Sequence, residues 1–252
     1  YSDRLMEFPL GLFGIALATV TLPYMSRLWA NEDRQEFAET LDWSMKIAVL
    51  IAVPAALGLI ALASPLVITL FMGGVFDARS AEMTALALQA YAVGLVGFSF
   101  VKVLAPAFFA REDTRTPVRI GIAALIVNVV LGSSAAWYMT SSGMTGPHTA
   151  LAAATSIAAL LNAALLYRGL RKADVVRHSD GWGMLLVRVV LANAAMGLVL
   201  FTLHREISWW SDAGLAERVW WLGVSVVAGA AAYFVALVVL GLRLQQFRLR
   251  HD

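Results

Sequence analysis

The stretch YSDRLMEFPLGLFGIALATVTLPYM sets Asp3, Arg4 and Glu7 at the head of an apolar run long enough to cross a bilayer. One ionised side chain at the centre of a membrane helix costs about 2.5 to 3.5 kcal/mol on insertion scales. Residues three apart share a helix face, so Arg4 and Glu7 lie together, with Asp3 beside them. Their combined cost of about 5 to 7 kcal/mol is outweighed by about twenty apolar residues at up to about 0.6 kcal/mol each. The run inserts, and its charges must face protein or water. Two readings follow: a neutralising pair that ties neighbouring helices, or a polar contact for a substrate. For Asp3 a third reading is simple solvation at the outer interface.

Other polar residues lie deeper in apolar surroundings. Lys102, in GFSFVKVLAPAFFARED, stands about two turns before a charged loop, within reach of snorkelling; it reads as an anchor, with ligand as the alternative. Pro9, Pro23 and Pro106 mark places where backbone carbonyls lose their helical donors, and broken helices are how many transporters build ion and substrate sites. Asn128 in LIVNVVLG and Asn162 in AALLNAALLY suit interhelical hydrogen bonds, with a cation site as the sharper reading for Asn128. His148 follows a Gly-Pro turn, His204 ends a helix, and His178 and His251 sit in basic segments; no HExxH and no paired metal spacing occurs. With no cysteine, no glycine-rich phosphate loop and no nucleophile elbow, the sequence offers no catalytic residue, no metal site and no bound cofactor.

These residues need elements to hold them. The chain is 60% hydrophobic and only 14% charged, against about 25% charged in ordinary globular proteins, so it is an integral membrane protein. A net charge of +2, without a basic aromatic-interleaved stripe, excludes a nucleic-acid partner. The first residue is Tyr1 and no basic segment precedes the apolar run, so no signal peptide is read and the chain is expected to be a piece of a longer protein.

Spans of about 20 apolar residues give an all-α, polytopic bundle of about seven transmembrane helices. They are Arg4 to Trp29, Leu41 to Met72, Met83 to Ala110, Val118 to Met139, Thr149 to Leu170, Met184 to Leu203 and Trp220 to Leu242. The second carries Pro54 and Pro65 and is too long for one simple crossing, so a broken or tilted helix is expected. The polar stretch ANEDRQEFAETLD reads as a separate amphipathic interfacial helix. Arg27, Arg34, Lys46, Arg111, Arg115, Arg119, Arg168, Arg171, Lys172, Arg177 and Arg188 fall on one set of loops and span ends, whereas the other carries Arg79, Arg205 and Arg218. The basic side is expected to be cytoplasmic, with the C-terminus RLQQFRLRHD on it and the pairs Trp209-Trp210 and Trp220-Trp221 in the opposite interface. The basic connector RKADVVRHSDGWG separates residues 1–172, about five spans, from residues 173–252, a final helix pair with a basic tail.

The segments DRLMEFP, DWSMKIAVLIAVPAALGLIALASPLVITLF, YAVGLVGFSFVKVLAPAFFAREDTRTPVRI and LNAALLYRGLRK resemble the MurJ (MviN) family of lipid II flippases, within the superfamily of multidrug, oligosaccharidyl-lipid and polysaccharide exporters. That resemblance implies a bacterial cytoplasmic membrane protein of two six-helix lobes and a final pair, with this chain as the C-terminal half. It places Arg4 and Glu7 in a central cavity between the lobes, where a guanidinium suits the diphosphate of lipid II and Glu7 orients it or reads a sugar or peptide group. It makes residues 173–252 a groove for the polyprenyl tail, and makes lipid II, membrane lipids and the N-terminal lobe the partners. Some relatives hold sodium with an Asn and an Asp one turn apart; Asn128 takes the first place here and Gly132 the second. The expected function is lipid II transport by alternating access, driven by membrane potential or a monovalent cation. The alternatives are a cation-coupled drug exporter, opposed by Arg4, a lipid-linked glycosyltransferase, opposed by the lack of acidic clusters at an interface, and a non-transporting membrane scaffold, in which a neutral, well-packed pair could replace Arg4 and Glu7 without loss of function.

Overall fold

A computed structural model describes residues 5, 11, 21–73, 77–142, 147–176 and 181–242. Helix α1 (Arg34–Ala61) starts where the carboxylate of Asp33 accepts the Glu36 amide at 3.0 Å, satisfying one of the free donors of the first turn. The polar stretch before the span is therefore not a separate interfacial helix but the first turns of α1. Phe37, Ala38, Leu41, Met45 and Ala48 are buried at helical spacing, and that stripe runs without interruption into the membrane segment.

The expected break in the second span falls at Leu62, between α1 and the short α2 (Ala63–Phe71). Pro65 lies in the first turn of α2, where its missing N–H leaves nothing unpaired, while Pro54 remains inside α1. The Gln89 amide donates to the Ile60 carbonyl at 3.2 Å beside the break.

The remaining elements are α3 (Ala78–Phe109), α4 (Arg115–Ser141), α5 (Pro147–Lys172), α6 (Trp182–Thr202), the short α7 (Ile207–Asp212) and α8 (Leu215–Val239). Among the described residues there is no strand, and six helices, α1, α3, α4, α5, α6 and α8, are long and apolar enough to cross a membrane. Most of the expected first span lies outside the described residues, although residues 21–30 are helical. Leu5 packs near Ala63, Ala81 and Trp210, whereas Met25, Leu28 and Trp29 pack with Phe37, Phe108 and Leu170, so these parts sit at opposite ends of the bundle.

Helix α3 is the centre, lying against α1, α2 and α5, with α4 outside α5. Two glycines make the α3–α5 approach possible. A Cβ on Gly94 would come within 2.6 Å of Ser156 Oγ, and one on Gly97 within 2.6 Å of the Leu160 amide nitrogen. Helices this close meet backbone to backbone, the small-residue packing common in membranes. Ser156 Oγ adds a hydrogen bond across the same contact, donating to the Ala90 carbonyl at 2.6 Å. On the other side α6 packs on α1 and α8, and α8 with α7 packs on α2.

Candidate functional site

Asp3, Arg4 and Glu7, the charges singled out at the head of the sequence, lie outside the described residues; their neighbour Leu5 packs at the end of the bundle that holds Trp210 and Trp221. Lys102 is exposed on α3, and Phe109, seven residues on and also exposed, shares its face. Pro106 leaves the Lys102 carbonyl without its helical donor. Asn128 on α4 accepts from the Thr155 hydroxyl of α5 at 3.3 Å, the interhelical hydrogen bond expected of it. One turn along, the space a Gly132 side chain would enter is taken by Leu151 Cδ2, 3.1 Å from the Cβ position. Gly132 itself brings no carboxylate to that place. The Asn162 Oδ1 is buried without a partner among the described residues.

The basic end carries the densest electrostatics. Trp29 is flanked by two guanidinium groups, Arg34 at 3.2 Å and Arg111 at 4.9 Å from its ring centroid. Burial pushes the pKa of Arg111 down, with Arg34 adding to that and Asp113 opposing it, and its Nε and Nη1 have no hydrogen-bond partner among the described residues. Asp113 accepts from the hydroxyl and the amide of Thr116, which holds its carboxyl below the usual range and fixes the turn into α4. At the end of α5, Tyr167, Arg168, Arg171 and Lys172 line an open groove of about 490 Å³.

A polar cluster that the sequence reading passed over sits at this end. Asp42 is only 3% exposed; its carboxylate pairs with Lys46 at 2.9 Å and accepts the Trp182 indole N–H at 2.6 Å. Asp42 and Lys46 stand at i and i+4 in DWSMK, a spacing that could have revealed the pair. Trp182 is 140 residues away from Asp42, and only the fold brings it there. The contact fastens the start of α6 to α1.

At the opposite end cations are sparse. Arg205 lies over Trp209 and Trp221, 5.5 and 4.4 Å from their centroids, and the Arg218 guanidinium donates to the Ser211 carbonyl at 2.7 Å. Trp220 is exposed, as an interfacial residue would be, but Trp210 is buried against α2 and is a core residue. Asp77, the N-cap of α3, has a carboxyl held below its usual range by accepting from Ser80. Among the described residues no group of His, Asp and Glu is arranged to hold a metal ion.

Among the described residues, six membrane-length helices and a proline-interrupted helix beside the central one define a polytopic α-helical membrane protein. The model of the family described as "Lipid II flippase MurJ" matches residues 1–220. The chain belongs to that family. It is 42% identical over 249 residues to a "Probable lipid II flippase MurJ" of Vibrio cholerae, covering 98% of this chain and 46% of the relative. It is 38% identical over 251 residues to the "Lipid II flippase MurJ" of Burkholderia cenocepacia, covering 99% of this chain and 47% of that one. Among solved structures, "Lipid II flippase MurJ, inward closed conformation" aligns over 95% of this chain and 45% of its own with a TM-score of 0.72 and 22% identity, a likeness of fold. The chain spans about half the length of the curated relatives it matches.

Proposed function

We propose that this chain is the C-terminal half of a flippase that carries lipid II from the inner to the outer leaflet of the bacterial cytoplasmic membrane by alternating access. The observation that carries the reading is the family match over residues 1–220, which includes the DRLMEFP segment. In this mechanism Arg4 and Glu7 line a cavity between two lobes, with Asp3 at its rim. Arg4 binds the diphosphate, whose desolvation without a cationic partner would be prohibitive. Residues 1–172 form the partial lobe, and residues 173–252 provide the groove along which the polyprenyl tail stays in the bilayer. The basic end and the C-terminus face the cytoplasm. Only non-covalent steps are involved, no cofactor is required, and membrane potential or a monovalent cation supplies the energy. Asn128 hydrogen-bonds Thr155, and Lys102 is exposed on α3; these positions support a helix contact at Asn128 and a place for Lys102 on a cavity or lipid face.

The test uses the intact protein as a cell's sole candidate flippase. After depletion of the native copy, cells receive an agent that cleaves lipid II only in the outer leaflet, and the product is quantified. Product should fall on depletion and return with the wild-type protein. With well-expressed Arg4→Ala it should remain about ten- to a hundredfold lower, the value of one charge-assisted contact. Product unchanged by depletion would remove the flippase reading and favour a drug exporter or a scaffold.

A further inference from the structure

Pro54 sits in the interior of α1 and has no N–H, so the carbonyl of Leu50, four residues earlier, lacks the helical donor it would otherwise have. In a bilayer an orphaned carbonyl is costly, and neighbouring helices commonly re-satisfy it. Here the donor comes from 183 residues away. The phenolic O–H of Tyr233, on α8, donates to the Leu50 carbonyl at 2.8 Å.

Tyr233 is 2% exposed and packs in an apolar cluster with Ala192, Met196, Leu200 and Leu237. Both sides of the proline rest on the same helix pair. Upstream, Val49 packs with Leu185 and Val189; downstream, Leu57 and Leu62 pack against the cluster that contains Tyr233. Bending of α1 at Pro54 would therefore either move α8 or break this hydrogen bond.

From this geometry we infer that Tyr233 is a positioning residue, which takes the place of the N–H missing at Pro54 and couples the bend of α1 to the final helix pair. The functional consequence, that the lobe and the lipid-tail groove shift together, rests on the flippase reading; the coupling itself does not.

The experiment is a double-mutant cycle in the intact protein, reconstituted in lipid nanodiscs, with Tyr233→Phe and Pro54→Ala. The Pro54→Ala substitution restores the helical donor to the Leu50 carbonyl. Spin labels at the exposed positions Ile60 and Val235 report the α1–α8 distance distribution. With Pro54 in place, Tyr233→Phe should shift the ratio of distance populations about three- to fifteenfold, the range for one membrane hydrogen bond. In the Pro54→Ala background it should shift the ratio little. Replacing Tyr233 with 4-aminophenylalanine, which keeps a donor, should behave as wild type. An equal effect of Tyr233→Phe in both backgrounds, or none in either, overturns the inference. Should Tyr233→Phe alone fail to fold, recovery in the Pro54→Ala background is the supporting result and failure in both is the overturning one. Outer-leaflet lipid II measured in the same variants is a separate readout: absence of flipping by the wild type sinks the flippase reading and leaves the distance cycle to decide the coupling.

Discussion

Asp42 shows what a single buried carboxylate does in this protein. Its charge is tolerable because Lys46 and the Trp182 indole satisfy it, and removing it takes an ion-pair partner from Lys46 and a hydrogen-bond acceptor from Trp182 at a largely buried site. Breaking a fully buried pair costs about 3 to 5 kcal/mol, but Lys46 keeps 17% of its side chain exposed, so Asp42→Ala should cost about 1 to 3 kcal/mol. Trp182→Phe, which loses one hydrogen bond and keeps most of the packing, should cost about 1 kcal/mol. Thermal unfolding of both variants in detergent checks the order; equal losses would mean that packing, not the polar contact, fastens α6 to α1. The residues first noticed in the sequence, Arg4 and Glu7, announce themselves by being expensive where they stand, whereas Asp42 is quieter because its i,i+4 lysine already softens the signal.

At the scale of elements, the α3–α5 contact depends on the absence of side chains. The atoms facing Gly97 are main-chain atoms of Ala159 and Leu160, which cannot rotate away as a side-chain tip would. Gly97→Val should therefore separate the two helices and cost about 3 kcal/mol or more, in the range of severe overpacking. Gly121→Val on α4, where nothing lies within 4 Å, should be close to neutral. Folded yield after detergent extraction, compared between the two, makes the measurement, and similar yields would contradict the close approach. Sequence periodicity finds these helices readily, since long apolar runs have one stable solution in a bilayer. It places ends less well: the polar start of α1 reads as a separate surface helix because its composition changes there, but the buried stripe from Phe37 to Ala48 overrides composition. The break after Ala61 is legible in the prolines, yet its position at Leu62 depends on packing, with Gln89 of α3 reaching the carbonyl beside it.

For the molecule as a whole, the two ends differ in charge, and the lysine and arginine bias predicts its direction in the membrane. Arg34, Arg111, Arg171 and Lys172 belong to one end, and Arg205 and Arg218 to the other. With single cysteines introduced into the intact protein at Arg171 and Arg205, an impermeant maleimide added to whole cells should label Arg205→Cys and leave Arg171→Cys unlabelled until the membrane is opened. The reverse pattern would invert the proposed orientation. Hydrophobic run length, the lysine and arginine bias and the DRLMEFP segment are local properties of the chain. They determined by themselves an α-helical membrane protein, the direction proposed for it and the family it resembles. What the tertiary structure alone decided are the long-range pairings: Trp182 on Asp42, Tyr233 on the Leu50 carbonyl, Ser156 on α3 and Trp210 in the core rather than the interface. Each brings together residues far apart in the chain. Nothing in local spacing encodes such a meeting, because the partner is chosen by which buried donor or acceptor the packed helices leave unsatisfied.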